Sequence, residues 1–393
     1  MAGDGEGPAS QGAGPERAEA AARRGAEGLW VLVVNAGSSS LKLRLLGPDD
    51  RVEASGDVLV SGGEPDKAAL DGALEELGAE RAGAVGHRIV HGGTEFSEPV
   101  RIDDRVERRL RALTDLAPLH QPTSLAALDA VSAALPDLPR VACFDTAFHA
   151  RLPAAAATYA LPSDWRERFR IRRYGFHGLS HAYAARRAAE LVGRPVSELR
   201  IVTCHLGAGA SLAAVHGGRS VDTTMGFTPL EGLVMATRSG SVDPGLVLWL
   251  QRHAGLAADE VFQVLEHRSG VAGLAGSADM RAVLVAAEAG EPAARLAVDV
   301  YIHRLCGAVA AMAAAAGGLE VLVFTGGVGE NAPAVRRLAA EGLGFLGVGI
   351  DEDANQAGAG DRELTGGGAT VRTLVVAARE DLEITRGVRQ ALG

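Results

Sequence analysis

The sequence is nearly devoid of lysine: of its 39 basic residues only Lys42 and Lys67 are not arginine. A lysine kept in such a chain points mildly to a position that wants a compact ammonium rather than a planar fork. Cysteine is scarce as well. Cys143, Cys204 and Cys306 show no CxxC spacing and lie in apolar runs, which reads as structural thiols in a reducing cytoplasm. Excess positive charge is missing, and a net charge of −10 argues against a nucleic-acid-binding or membrane-binding surface. It leaves room for a small anionic substrate, because a few arginines in a cleft outweigh the global field. The most lipid-like stretch, 305–319, is mostly alanine and glycine and stops at Glu320, short of a membrane span. It predicts a buried helix ended by Gly317-Gly318. Residues 1–26 are rich in Gly, Ala, Glu and Arg without an apolar core, so they are no secretory signal and read as a disordered tail.

What is present is a chain of 393 residues, long enough for two domains with cores of their own. Its balance of 47% hydrophobic to 22% charged residues is that of an ordinary soluble protein. Short apolar runs bounded by glycine alternate with Ala/Leu/Arg stretches of helical character, which predicts an α/β architecture. Strands are expected at 30–34, 41–46, 141–144, 201–204, 212–215, 321–324 and 371–376, and helices at 105–116, 124–134, 181–192, 246–253 and 292–316. Two segments echo each other about 170 residues apart: VLVVNAGSSSLKLRLL and IVTCHLGAGASLAAV each run strand, Gly/Ser turn, strand. Small loop residues let backbone amides approach a ligand, so the pair predicts a duplicated domain with a cleft between the copies. A third glycine segment, FTGGVGEN, is expected to lead from a strand into a helix capped by Asn331 with Pro333 in its first turn.

Familiar catalytic spacings are absent. Neither GGVGEN nor HLGAGA has the full GxGxxG spacing, and there is no Walker A loop, no GxSxG elbow and no HxxH or HExxH, so any nucleotide is held by another scheme. Five polar residues stand instead at the edges of apolar or glycine-rich segments: Arg88 in GHRIVHGG, Asp145 in CFDTAFH, His177 in YGFHGLSH, His205 in CHLGAG and Arg238 in MATRSGSVDP. Singly, each has an ordinary reading as a turn residue, a core hydrogen bonder or a surface charge. Together, arginines, carboxylates and histidines beside small-residue loops make a kit for handling phosphate anions. A phosphoryl acceptor that is a carboxylate, with a pKa of roughly 4–5, is ionised at neutral pH and needs no base. Its difficulty is repulsion from a triphosphate, which arginines and a divalent ion must offset.

The string VLVVNAGSSSLK resembles the N-terminal signature of acetate kinases, and IVTCHLGAGASLAAVHGG resembles their second one. GHRIVHGG, LAPLHQP, FDTAFH, YGFHGLSH, MGFTPLEGL, TRSGSVDP and FTGGVGEN fall in that family's order, from about Leu29 to the C-terminus. The resemblance implies duplicated α/β domains of the ribonuclease H-like (actin-like ATPase) kind with an interdomain active site. Residues 27–148 plus 382–393 would form the N-terminal domain and 149–381 the nucleotide-binding C-terminal one. It implies reversible, in-line transfer of the γ-phosphoryl group of ATP to acetate, giving acetyl phosphate and ADP, with Mg²⁺ or Mn²⁺, by a cytoplasmic homodimer. By resemblance, Arg88 and Arg238 would orient the carboxylate and stabilise charge, Asp145 with Asn35 and Glu380 would hold the metal, and His177 would bond the phosphoryl group in flight, supported by His120 and His205. Val90, Leu119 and Pro229 would take the acetate methyl. The nucleotide would lie along Asn35, Ser38, Ser40 and Lys42, then His205, Leu206, Gly207, Ala208 and Gly209. Its far end would meet Asp279, Met280, Arg281, Gly327, Val328, Gly329 and Asn331.

Several positions depart from that pattern. Ala208 stands where the family usually has Asn, Ala378-Arg379 replaces Thr-Asn before the acidic pair Glu380-Asp381, Met280 replaces an aromatic and Gly326 an alanine. Loss of one donor to a charged group costs roughly 1.5–3 kcal/mol, so a slower enzyme, or one of altered nucleotide or metal preference, is expected. Arg379 is expected to bring positive charge beside the metal site. A propionate or butyrate kinase is the alternative within enzymes, and a catalytically weak nucleotide-binding regulatory protein of the same fold is the alternative outside them.

Overall fold

The computed structural model describes residues 28–37, 40–117 and 121–393. The 1–26 tail, Ser38, Leu119 and His120 therefore lie outside the described residues. Apolar runs build two sheets of the same design. In the first, β1 (Val31–Ala36) pairs antiparallel with β2 (Ser40–Leu46) and β2 with β3 (Val52–Ser61), while β1, β5 (Ala84–Ile89) and β7 (Arg140–Phe144) run parallel. Short β4 (Glu64–Pro65) and β6 (Val100–Arg101) complete the order β4-β3-β2-β1-β5-β7-β6. In the second, β8 (Arg200–Leu206) pairs antiparallel with β9 (Ala210–His216) and β9 with β10 (Arg219–Thr223). There β8, β11 (Val321–Thr325) and β13 (Arg372–Val375) run parallel, with β12 (Arg362–Glu363) at the edge, in the order β10-β9-β8-β11-β13-β12. Without the short edge strands the two orders coincide, so the echo of hairpins in the sequence is a duplicated α/β unit.

Alternation along each strand supplies two faces, and helices cover both. Leu32 and Val34 of β1 pack with Leu70 and Leu74 of the helix Lys67–Leu77 and Val131 of the helix Gln121–Ala134. Val31 and Val33 face the other way, onto Ile384 and Val388 of the last helix, Glu380–Leu392. In the second sheet Ile201 and Val323 meet Ala184 and Ala188 of the helix Gly178–Val192. Val202 and Phe324 meet Tyr301 and Leu305 of the helix Pro292–Ala315. Each buried Val, Leu, Ile or Phe side chain among these contributes about 1.5–3 kcal/mol, and two covered faces are what near-continuous apolar strands require. The alanine-rich 305–319 run is thus core, and its helix gives way at Gly317, which is left-handed (φ 73°).

The expected strands and helices all form, with two corrections. The helix over 105–116 stops at Arg111 and tightens into a short 3-10 turn, Thr114–Leu116, as i to i+3 bonds replace the α pattern. The FTGGVGEN segment is itself helical. Gly326 takes φ 78°, and a side chain there would meet the Leu206 carbonyl at 2.8 Å, so the chain turns straight from β11 into the helix Gly326–Asn331. Asn331 does not cap the following helix. It ends this one, its amide donating to the Gly327 carbonyl at 2.9 Å, and Ala332 precedes the helix Pro333–Gly342.

Candidate active site

Strands β1, β5 and β7 are parallel, so Asn35, Arg88 and Asp145 emerge together at the carboxyl edge of the first sheet, where open α/β sheets bind ligands. Arg88 and Asp145 open onto a cleft of about 860 Å³ whose wall also carries the second hairpin turn, Gly207-Ala208-Gly209, and the residues His177, Pro229 and Arg238, while Asn35 stands behind Arg88 rather than on that wall. Asp279, Met280, Arg281, Gly327, Val328 and Asn331 line its far end. A cleft touched by both glycine turns and lined by Arg88 and Arg238 offers backbone amides and positive charge to a polyanion.

Arg88 is the hub. Its Nε and Nη2 donate to the two oxygens of Asp145 at 3.1 and 2.5 Å, its Nη1 donates to Asn35 Oδ1 at 3.2 Å, and Glu380 lies 3.8 Å from Nε. Asn35 in turn donates to Glu380 at 2.8 Å. Burial disfavours the charge on Arg88, but Asp145 and Glu380 more than offset it and hold the guanidinium protonated. Burial raises the Asp145 pKa in spite of Arg88, whereas for Glu380 burial is overcome by Arg88, His205, the Asn35 bond and Lys42, so its pKa falls. The two carboxylates share one arginine, but Glu380 also repels charge on Asp145, whereas Glu380 itself has His205, Asn35 and Lys42 to support its charge.

Arg238 is placed by a residue the sequence reading missed. Its Nε donates at 2.8 Å to Glu266, a buried carboxylate on the helix Ala258–His267. A bond to a charged group is worth about 1.5–3 kcal/mol, so Glu266→Gln is expected to lower kcat/KM by about 10- to 100-fold while the protein stays folded. Steady-state kinetics alongside a urea melt check this, and wild-type kinetics would refute it. Phe176, against the cleft beside Val90, was also missed, although it lies in the same YGFHGLSH string as His177. Glu266 carried no signal at all, since a glutamate near the end of an amphipathic helix looks like a solvated one.

His177 sits in a left-handed conformation (φ 55°) just before the helix Gly178–Val192, and the Gly178 N–H donates to the Asp145 carbonyl at 2.8 Å. Its ring stacks on His205 at 4.4 Å. Gly209 abuts it so closely that a Cβ would stand 3.2 Å from His177 Nε2 and 3.4 Å from Arg238 Nη1. Burial first, then the neighbouring His205, His181, Arg88 and Arg238, hold the His177 pKa well below the usual value. The imidazole is neutral at pH 7.

Other expected residues are placed less centrally. Lys42 is exposed on β2, directly across from Asn35, and the Ser40 carbonyl accepts from Gly37 N–H at 2.9 Å. His205 lies behind His177. Leu206 is fully buried in the core, and Gly329 is buried with its carbonyl bonded to Arg336 at 2.8 Å, so neither faces the cleft. Met280 both lines the cleft and anchors in the core at 7% exposure. Arg379 does not turn its charge on Glu380: it clasps Asp381 at 2.9 and 2.8 Å, because Asp381 is the buried neighbour that needs a cation. The oxygens of Asn35, Asp145 and Glu380 are hard donors that suit Mg²⁺ or Mn²⁺. No cage of three or more His, Cys, Asp or Glu exists among the described residues, so water and phosphate oxygens would complete such an ion's shell.

Residues 66–386 match the acetokinase family. The chain is 47% identical to an acetate kinase of Deinococcus deserti, over 93% of its own length and 98% of the relative's. It is 45% identical to an acetate kinase of a Synechococcus species, over 92% and 99%. Among solved structures, the acetate kinase of Porphyromonas gingivalis superposes with a TM-score of 0.85 at 37% identity, covering 93% of this chain and all of that one. A propionate kinase of Francisella tularensis gives 0.86 at 34% identity, covering 91% and 98%.

Proposed function

The chain belongs to the acetokinase family, and from that premise we propose how its cleft works. The protein is an acetate kinase, a phosphotransferase with a carboxyl group as acceptor and ATP as donor. One observation supports this assignment of the cleft above others: Arg88, Arg238, Asp145 and His177 converge beside both hairpin turns. Acetate is already ionised, so no base is needed. Arg88, rigid through Asp145 and Asn35, and Arg238, rigid through Glu266, bring the carboxylate and the terminal phosphoryl group together against their mutual repulsion. Val90, Phe176 and Pro229 form a small apolar pocket for the methyl group. His177 donates to a phosphoryl oxygen during direct in-line transfer. Asp145, Glu380 and Asn35 would hold Mg²⁺ or Mn²⁺, which when bound neutralises phosphate charge. The nucleotide lies along Lys42, the Gly207-Ala208-Gly209 turn and the Asp279–Arg281 and Gly327–Asn331 walls.

Trapping acetyl phosphate with hydroxylamine, in the presence of ATP, Mg²⁺ and acetate, tests the activity. Acetyl hydroxamate is expected, and its absence would overturn the reading. The likeness to a propionate kinase gives a second reading for the acid. One methylene is worth about 1–3 kcal/mol, so kcat/KM for acetate is expected to exceed that for propionate and butyrate by tenfold or more.

Assembly and boundaries belong to the same proposal. The helix Pro244–His253 buries none of its residues and exposes Leu246, Leu248 and Trp249 at 46–56%. An amphipathic helix of that length needs a partner surface, which supports a homodimer closing over it, in the cytoplasm. The packing of Ile384 and Val388 on the first sheet supports domains of 27–148 plus 382–393 and of 149–381.

A further inference from the structure

Behind His177 runs a file of buried polar groups that the phosphoryl-transfer reading does not use. Ser211 Oγ lies 2.9 Å from His177 Nδ1 and 2.8 Å from His181 Nε2, and His181 Nδ1 lies 2.7 Å from Thr203 Oγ1. Thr203, His181 and Ser211 are each fully buried, so no solvent supplies alternative partners. A neutral imidazole has one donor and one acceptor nitrogen, and a hydroxyl has one proton to give. One choice of direction therefore fixes every proton in the file.

We propose that Thr203, His181 and Ser211 are positioning residues whose hydrogen-bonded relay sets the tautomer of His177, so that the neutral ring presents Nε2–H to the phosphoryl group. This rests on the placement of His177 at that group. In the proposed direction Thr203 donates to His181 Nδ1, His181 Nε2–H donates to Ser211, and Ser211 donates to His177 Nδ1. Every short contact then carries a proton. In the reverse direction Thr203 has, among the described residues, only the Ala213 carbonyl to donate to, at 3.5 Å, the limit of a hydrogen bond. His177 would then turn a lone pair toward the cleft, where a phosphoryl oxygen would be repelled. A doubly protonated ring is no substitute, because His205, His181, Arg88 and Arg238 all face it and burial opposes the charge. The relay is thus how the ring donates while staying neutral.

The experiment is side-chain ¹⁵N NMR of histidine-labelled enzyme with ADP and Mg²⁺, His177 being assigned by loss of its signals in His177→Gln. His177 is expected as the Nε2–H tautomer in the native chain and as a mixture in Ser211→Ala. The kcat of Ser211→Ala is expected to fall by about tenfold or more, with KM for ATP and acetate changed less than about threefold. Thr203→Val, which keeps the strand and lies away from the cleft, is expected to shift the tautomer in the same sense. A native Nδ1–H tautomer, or tautomers unaffected by either substitution, would overturn the relay. A shifted tautomer with native kcat would instead uphold the relay and overturn the role of His177 in transfer.

Discussion

Replacing Arg88 by alanine is expected to abolish measurable turnover, a loss of about three orders of magnitude or more, and to cost about 3–5 kcal/mol of stability. The second figure follows from what Arg88 leaves behind. Asp145 is 1% exposed and gives both oxygens to Arg88. Among the described residues its side-chain hydrogen bonds go to that one partner. Removal of a single member of a buried pair strands a charge, whereas deleting both members is often tolerated. Asp145, its pKa already raised by burial, would rise further and take a proton. Asn35 and Glu380 would lose their common cation, so the hydrogen-bonded edge of β1, β5 and the final helix would loosen together. The stability loss should shrink in mild acid, where a protonated Asp145 no longer needs a counter-ion. Arg88→Lys keeps a charge without the planar fork, and an intermediate loss is expected. Urea unfolding at two pH values, with acetyl phosphate formation measured in parallel, checks both figures. An alanine variant as stable as the native chain at neutral pH would contradict the ion-pair account.

Acid is expected to unfold this protein well before its carboxylates titrate. Burial pulls the pKa of His87 down to about 3, helped by Arg140, and burial pulls His91 down to about 4. Burial also brings His149 to about 4, against the opposing effect of its bond to the Phe176 carbonyl. In the unfolded chain each would protonate near the ordinary value of 6.5. The unfolded state therefore binds more protons between those limits, and stability falls as the pH is lowered through them. The neutral-histidine contribution is complete above about pH 6.5. At about pH 5 each of the three has lost about 2 kcal/mol, and about 6 kcal/mol together. That is comparable to the whole stability of a domain, about 5–15 kcal/mol. His177 and His181, also depressed, act in the same direction. Urea midpoints at pH 7.5, 6 and 5 test this, and a flat profile would show that these rings are not neutral in the fold.

Much of the architecture was readable because its signals are local. The two hairpins announce themselves in strand–turn–strand strings, and Pro292 and Gly317 bracket a long helix by their own backbone preferences. Strand β5 was missed because Gly86, His87 and Arg88 interrupt its apolar run, although partners on both sides bury it. The Asn331 cap was misplaced because only the packing of Gly326 on Leu206 reveals that the glycine segment is helical. Most of the candidate site could be named from its motifs, yet motifs carry no information about what restrains each group. Nothing along the chain ties Glu266 to Arg238, turns Arg379 onto Asp381, or lines Thr203 and Ser211 up behind His177.

The sequence by itself thus determined the duplicated α/β plan and the phosphate-handling residue types, and the family motifs it carries supplied the carboxylate acceptor. The first two follow from periodicity, glycine placement and the chemistry of side chains. The tertiary structure alone decided which carboxylate holds which arginine, which histidines stay neutral and which apolar helix face is left exposed. Each of these depends on burial and on contacts between residues far apart in the chain, and a linear string does not contain them.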